Sequence, residues 1–126
     1  MPWLWRIESS PPSNTIVVDI KGSITDYCIF SLYGIYICHN ATSTKQYVVE
    51  TYDEYQDETR TYFGIMVPPD LPVKIESDEP LISSIGSYSG SEHLRIRAVT
   101  GGEPTLYIGV KIKGAWLLVT GYGMYV

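Results

Sequence analysis

Along this chain apolar side chains recur at every second position over short windows. Ile16, Val18 and Ile20 form one such set, Leu94, Ile96 and Ala98 a second, and Leu106, Ile108, Val110 and Ile112 a third, with mainly polar or aromatic residues between. A period of two is the mark of a half-buried strand, whose successive side chains point to opposite faces. Clusters rich in Pro, Gly, Ser, Asn and Asp punctuate the windows, at Ser9–Asn14, Lys21–Ser23, Asn40–Thr44, Glu54–Glu58, Pro68–Pro72, Ser77–Pro80, Ser89–Ser91, Thr100–Pro104 and Gly114. Between them the pattern predicts strands at Trp3–Glu8, Thr15–Lys21, Ile24–Cys38 in one or two pieces, Gln46–Asp53, Thr59–Val67, Val73–Glu76, Leu81–Tyr88, His93–Val99, Thr105–Lys113 and Trp116–Tyr125. None of these windows supports a helix of any length. The expectation is an all-β chain, an antiparallel two-sheet β-sandwich or jelly roll of about eight to ten strands with little or no helix. The turn clusters are evenly spread and no repeat or linker interrupts them, so residues 1–126 read as a single domain.

Two loops are short enough to suggest a hairpin register. If Thr100–Pro104 is a five-residue loop, Ala98 faces Leu106, Ile96 faces Ile108 and Leu94 faces Val110, all inward. The outward pairs are then Arg97 with Tyr107, Arg95 with Gly109 and His93 with Lys111. The same rule at Glu54–Glu58 sets Thr51 opposite Thr61, Val49 opposite Phe63 and Tyr47 opposite Ile65 on one face, with Tyr52–Arg60 and Glu50–Tyr62 on the other.

Composition strengthens the strand reading. The chain holds 14 Ile, 10 Val, 10 Thr and 11 Tyr against 3 Ala, 8 Leu and 3 Met, which favours a pleated surface over a helix. At 126 residues a hydrophobic core can form without metals or many disulfides. A net charge of -5 argues against a surface built throughout for nucleic acid or anionic membrane. The longest apolar run, Tyr27–Cys38, is broken by Ser31 and Gly34 and is shorter than the ~18 residues a membrane span needs. The N-terminal MPWLWRIESSPPS has no basic region ahead of its short apolar stretch and contains Glu8, so no secretory signal is read there. These features predict a soluble protein. Asn40-Ala41-Thr42 matches the glycosylation triplet, which chance alone supplies often.

Candidate chemistry is sparse. Two histidines, His39 and His93, and two cysteines, Cys28 and Cys38, lack the close paired spacing of a zinc site and the His-x-His of a cupin metal centre. There is no Gly-x-Ser-x-Gly, and both cysteines sit in apolar context. The acids Glu50, Asp53, Glu54, Asp57 and Glu58 read as a solvated hairpin rather than a hydrolytic pair, and Gly101-Gly102 reads as a turn because no helix follows to hold an anion. The expectation is a protein that is not an enzyme and carries no metal or cofactor. If the chain turned back at Leu32-Tyr33-Gly34, Cys28 would lie opposite Cys38 and a disulfide would be possible. A continuous strand would instead hold the sulfurs about 30 Å apart and leave two free thiols, which is the default.

Two surface features remain. Arg95, Arg97, Tyr107, Lys111 and Lys113 would form a basic and aromatic hairpin face, suited to single-stranded nucleic acid or a glycan or, more simply, to a solvated sheet. Trp3, Trp5, Trp116, Tyr122 and Tyr125 concentrate aromatic rings near both ends, where they suit contacts between copies of the chain, plain packing, or carbohydrate stacking. The Ile, Val and Tyr richness, with only two Asn and two Gln, resembles in overall character the small proteins of unassigned role in viruses that infect hyperthermophilic archaea. High Lys and Glu content, often linked to growth at extreme temperature, is missing. The resemblance implies a viral protein of unassigned role, for which a β-sandwich or jelly roll suits because viral shells and appendages commonly use it; virion structure or assembly is the setting expected, in the host cytoplasm or the virion, with itself or another viral or host protein as partner. It also makes an intracellular Cys28–Cys38 disulfide less improbable. The leading expectation is a structural or interaction protein that self-associates through aromatic surfaces. A nucleic-acid or glycan module is the alternative.

Overall fold

The computed structural model describes residues 3–23, 28–87 and 91–114, together with the backbone of 123–125. They form ten strands: β1 (Trp3–Glu8), β2 (Thr15–Gly22), β3 (Phe30–His39), β4 (Lys45–Asp53), β5 (Glu58–Val67), β6 (Val73–Glu76), β7 (Ile82–Ile85), β8 (Glu92–Ala98), β9 (Leu106–Gly114) and β10 (Gly123–Tyr125). The described residues include no helix, hence none long and apolar enough to cross a membrane.

The topology is that of one long hairpin folded over itself. Its bend is the turn Glu54–Asp57 between β4 and β5. Moving outward from that bend, β3 pairs with β6 and β7, β2 with β8, and β1 with β9, all antiparallel. Successive pairs alternate between two layers, which brings β8 beside β4 and β9 beside β3. One sheet therefore runs β10-β1-β9-β3-β6, with β7 also on β3, and the other runs β2-β8-β4-β5. This order is a jelly roll.

The apolar alternations supply the layer between the sheets. Leu106, Ile108, Val110 and Ile112 face it from β9, Phe30, Leu32, Ile35 and Ile37 from β3, and Leu94, Ile96 and Ala98 from β8, all buried. In β2 a bulge between Ile16 and Val18 buries Val17 beside Val18 and leaves Ile16 half-buried. His39 belongs to this core. Its Nδ1 accepts from the Ala41 N–H at 3.1 Å, which places the ring proton on Nε2, where it donates to the Val67 carbonyl at 2.8 Å. Tyr47 and Glu103 are also buried, and burial together with the nearby Glu103 carboxylate makes the Tyr47 phenol harder to ionise than usual.

Three local expectations are corrected. β8 and β9 do not form a hairpin: β8 lies between β2 and β4, while β9 lies between β1 and β3 in the other sheet. Their connection is an arch in which Gly101 and Gly102 take φ of +66° and +82°. It is tied to the β1–β2 loop by Gly102 N–H to the Pro11 carbonyl at 2.7 Å and Ser10 N–H to the Glu103 carbonyl at 2.9 Å. Either connection buries the same alternate residues, so the apolar pattern alone does not choose between them. Second, Leu32-Tyr33-Gly34 is no turn. β3 runs unbroken from Phe30 to His39, and the surplus residue there is absorbed as a bulge opposite Ile112 and Lys111. Cys28 and Cys38 are free and half-buried, so the disulfide is absent. Third, the β4–β5 register follows the expected Tyr47–Ile65 and Val49–Phe63 pairs and then slips at a bulge, placing Glu50 opposite Thr61 and Thr51 opposite Arg60.

Candidate functional site

The outer face of the six-stranded sheet is set by backbone register. On β1, β9 and β3 one row reads Ile7, Tyr107, Cys38, the next Trp5, Gly109, Tyr36, and the third Trp3, Lys111, Gly34. β6 extends the last two with Lys74 beside Tyr36 and Glu76 beside Gly34. The glycines leave room for the indoles. A Cβ on Gly109 would lie 2.7 Å from Cε3 and Cζ3 of Trp5 and 3.1 Å from Cδ2, so the benzo ring lies face-on over the β9 backbone. A Cβ on Gly34 would meet Cη2 of Trp3 at 2.8 Å, because Trp3 reaches across β9 to β3. The two indoles form a stacked pair, with centroids 5.7 Å apart and planes 25° apart. Tyr36 stands against Trp5 at 71° and 5.1 Å.

Polar groups border this floor. Lys74 Nζ lies 5.8 Å from the Trp3 ring centroid and 3.2 Å from Glu76, which also accepts from Lys111 at 3.2 Å. Hydrogen bonds and charge from Lys111 and Lys74 hold the Glu76 carboxyl below its usual ionisation range. Ile7 and Tyr107, 63% and 46% exposed, continue the apolar surface beyond the indoles.

The outer face of the four-stranded sheet carries charges in pairs. Arg97 donates to Glu50 at 2.9 Å, and Glu50 is itself only 3% exposed. Arg95 lies 3.4 Å from Asp19 with its guanidinium 4.2 Å from the Tyr52 ring centroid, and Tyr52 donates to Asp57 at 2.6 Å. His93 sits between two carboxylates, with Nδ1 2.5 Å from Asp19 and Nε2 2.7 Å from Glu54. Glu54 also accepts from Ser91 Oγ at 2.6 Å and faces Lys21 at 3.5 Å.

The His93 proton is held more tightly than usual, first by the Asp19 hydrogen bond, against the opposing effect of burial, and then by Glu54. Glu54 is pushed down to about 2 by Ser91, then His93. For Asp19, burial acts upward but is outweighed by His93 and Arg95, and its carboxyl falls below the ordinary value. With both nitrogens occupied as donors, this ring has no lone pair to offer a substrate while the contacts stand. Asp19 and Glu54 lie at opposite edges of the ring, and the described residues contain no group of three or more His, Cys, Asp or Glu suited to hold a metal.

The structure thus redistributes the residues singled out above. Arg95 and Arg97 lie on one outer face among acids, whereas Tyr107, Lys111 and Lys113 belong to the other sheet, so the continuous basic and aromatic hairpin face does not exist. The cause is the arch between β8 and β9. Trp3 and Trp5 come together, joined by Tyr36 and Lys74, which lie on β3 and β6, strands far from Trp3 and Trp5 in sequence. The backbone of Tyr125 pairs with Trp3. Trp116 and Tyr122 lie outside the described residues.

No protein family matches this chain, and no curated protein sequence matches it. Among solved structures it is similar to the CBM22-1–GH10 modules of Clostridium thermocellum endo-1,4-beta-D-xylanase 10B, complexed with xylohexaose, at 11% identity over 88% of this chain and a TM-score of 0.44. The match spans 24% of that xylanase chain, so this chain corresponds to about a quarter of its length. It is also similar to the coat protein of Tobacco streak virus, at 10% identity over 93% of this chain and 89% of that one, with a TM-score of 0.31. Likeness at this distance concerns the fold and carries nothing about ligands or partners.

Proposed function

We propose that this is a viral structural or interaction protein without catalytic activity, serving virion structure or assembly, and that it associates with a second copy of itself through the outer face of the six-stranded sheet. The observation that carries this reading is the assembly of Trp3, Trp5, Tyr36, Tyr107 and Ile7 on one outward face, beside the edge strand β10. Aromatic anchors within a polar border are the material of protein interfaces, and an edge strand offers backbone groups to a neighbour. Ile7 and Tyr107 are exposed, so changing them tests the contact without disturbing the core. Sedimentation velocity at micromolar concentration should show an oligomer that dissociates in an Ile7→Lys/Tyr107→Lys variant and on removal of residues 121–126. A strict monomer in the unaltered protein sinks the proposal.

A second reading, binding of a neutral glycan, is favoured by the geometry of the indoles. The stacked indoles of Trp3 and Trp5 offer apolar ring surface of the kind that packs against sugar rings, and Lys74, Glu76 and Lys111 stand at the border for sugar hydroxyls. Glycan binding would resist salt and fail in Trp3→Ala. Nucleic-acid binding would weaken steeply with salt. It has lost its support, because Arg95 and Arg97 are matched by Asp19 and Glu50.

A further inference from the structure

We propose that His93 is a pH-operated latch: as an imidazolium it holds the β4–β5 turn, through Glu54, and strand β2, through Asp19, against β8, and loss of its proton releases the turn. The geometry carries this. An imidazole ring bonds carboxylates at both nitrogens only when both bear protons, and His93 does so at 2.5 Å and 2.7 Å. Neutral His93 retains one N–H, and its other nitrogen then presents a lone pair to a carboxylate.

The two contacts differ in how well they survive that change. Asp19 stands opposite Arg95 in the β2–β8 ladder and also faces its guanidinium, so backbone and charge keep it in place. Glu54 begins the turn, beyond the last ladder pair Asp53–Glu58, and so has more freedom to withdraw. The remaining N–H therefore stays with Asp19, and the lone pair repels Glu54. The turn then loses its tie to β8 through the ring and keeps those from Glu54 N–H to the Ser91 carbonyl at 3.1 Å, Ser91 Oγ to Glu54 at 2.6 Å and Lys21 at 3.5 Å, with the bonds of Asp57 to Tyr52 and of the Tyr55 and Gln56 amides to Asp53 at its base.

The charged and titratable groups around the ring are Asp19 and Lys21 from β2, Arg95 from β8, Tyr52 from β4, and Glu54 and Asp57 from the turn. Of these side chains, the imidazole is the type whose charge ordinarily changes between about pH 5.5 and 8.5. The turn carries Tyr55, 84% exposed, whose amide is tied to Asp53 at 2.9 Å. Its release would change how the exposed Tyr55 is presented to solvent.

The test uses the full chain and two readouts from nuclear magnetic resonance: the ring nitrogens of His93, and the amides of Glu54, Tyr55 and Gln56. Between about pH 5.5 and 8.5 the turn amides should shift with the same midpoint as the His93 ring. Their hydrogen-exchange protection, corrected for intrinsic pH dependence, should fall roughly tenfold for each pKa unit by which the closed turn, through Glu54, raises His93 above its value with the turn open, since the two equilibria are linked. Glu54→Gln keeps an oxygen for Nε2–H but removes the charge, so it should lower the His93 midpoint and separate the turn from it. His93→Gln should show an unprotected turn throughout. If His93→Gln does not fold, Glu54→Gln decides. Turn amides that stay flat while His93 titrates, or that titrate unchanged in Glu54→Gln, overturn the latch.

Discussion

Gly101 and Gly102 allow the arch between β8 and β9 to be tested by a pair of matched substitutions. Both residues hold positive φ, so alanine at either position incurs left-handed backbone strain of about 1 kcal/mol. They differ in surroundings. A Cβ on Gly102 would find only the Lys45 ammonium at 4.0 Å, whereas one on Gly101 would lie 2.5 Å from both the Pro12 carbonyl carbon and the Ser13 nitrogen. Backbone does not swing aside as a side-chain end does. Relief requires the arch to lift from the β1–β2 loop, which breaks the Gly102–Pro11 bond at 2.7 Å and loosens the Ser10–Glu103 bond at 2.9 Å. At about 1 kcal/mol for each of these, Gly101→Ala should cost about 3 kcal/mol in all, against about 1 for Gly102→Ala. Urea unfolding followed by Trp fluorescence measures both. With a urea slope of about 1.5 kcal/mol per molar, the Gly101→Ala midpoint should drop by about 2 M. The reasoning fails if the two variants fall within about 0.5 kcal/mol of each other, as they would if β8 and β9 were joined by a free hairpin loop.

Four further outcomes are expected. Arg97→Ala strands the buried Glu50 carboxylate and should cost about 3 kcal/mol in urea unfolding, while Glu50→Leu/Arg97→Met should cost less than the single change; a double variant worse than the single refutes this. His39→Leu loses both ring hydrogen bonds in the core and should cost about 2 kcal/mol by the same assay, and a neutral result would contradict the structure. The urea midpoint should vary with pH in a set direction. The raised His93 contributes stability fully below its ordinary 6.5 and loses it as pH rises through the higher folded value, whereas Asp19 and Glu54, both lowered, contribute above their ordinary 3.8 and 4.5 and lose it as pH falls, for Glu54 down to about 2. Stability should therefore be greatest between those limits, with an alkaline limb that flattens in His93→Gln. Alkylation under denaturing, nonreducing conditions should modify two thiols by mass, and none if Cys28 and Cys38 are bonded.

Strands were readable wherever one face is buried. The inward sets on β8 and β9 follow directly from their alternation, and the observed β6 spans the residues expected for it. Bulges were less visible. Val17 in β2, Tyr33 in β3 and Tyr62 in β5 each add a residue that local pattern treats as part of the run, because only the partner strand shows the surplus. The aromatic floor was half visible: Trp3 and Trp5 share a face by their spacing, but Gly34 and Gly109 as the surfaces beneath the rings depend on strands far away in sequence. The Asp19–His93–Glu54 cluster was not visible, since its members are 74 and 39 residues from His93 along the chain. Its one available signal was His93 at an outward strand position.

What the sequence determined by itself was local: all-β structure, the approximate strand limits and the apolar residues that face inward, because a period of two depends only on neighbours within the same strand. What tertiary structure alone decided was which sheet each strand joins. β8 and β9 bury the same side chains whether they pair with each other or arch apart, and the choice rests on the contact of Gly101 with the β1–β2 loop and on partners across the fold. That choice separated Arg95 and Arg97 from Tyr107 and Lys111, enclosed the first pair among acids, and set the second beside the indoles of Trp3 and Trp5. A face is a property of strand order, and strand order is set by distant pairings that no local pattern encodes.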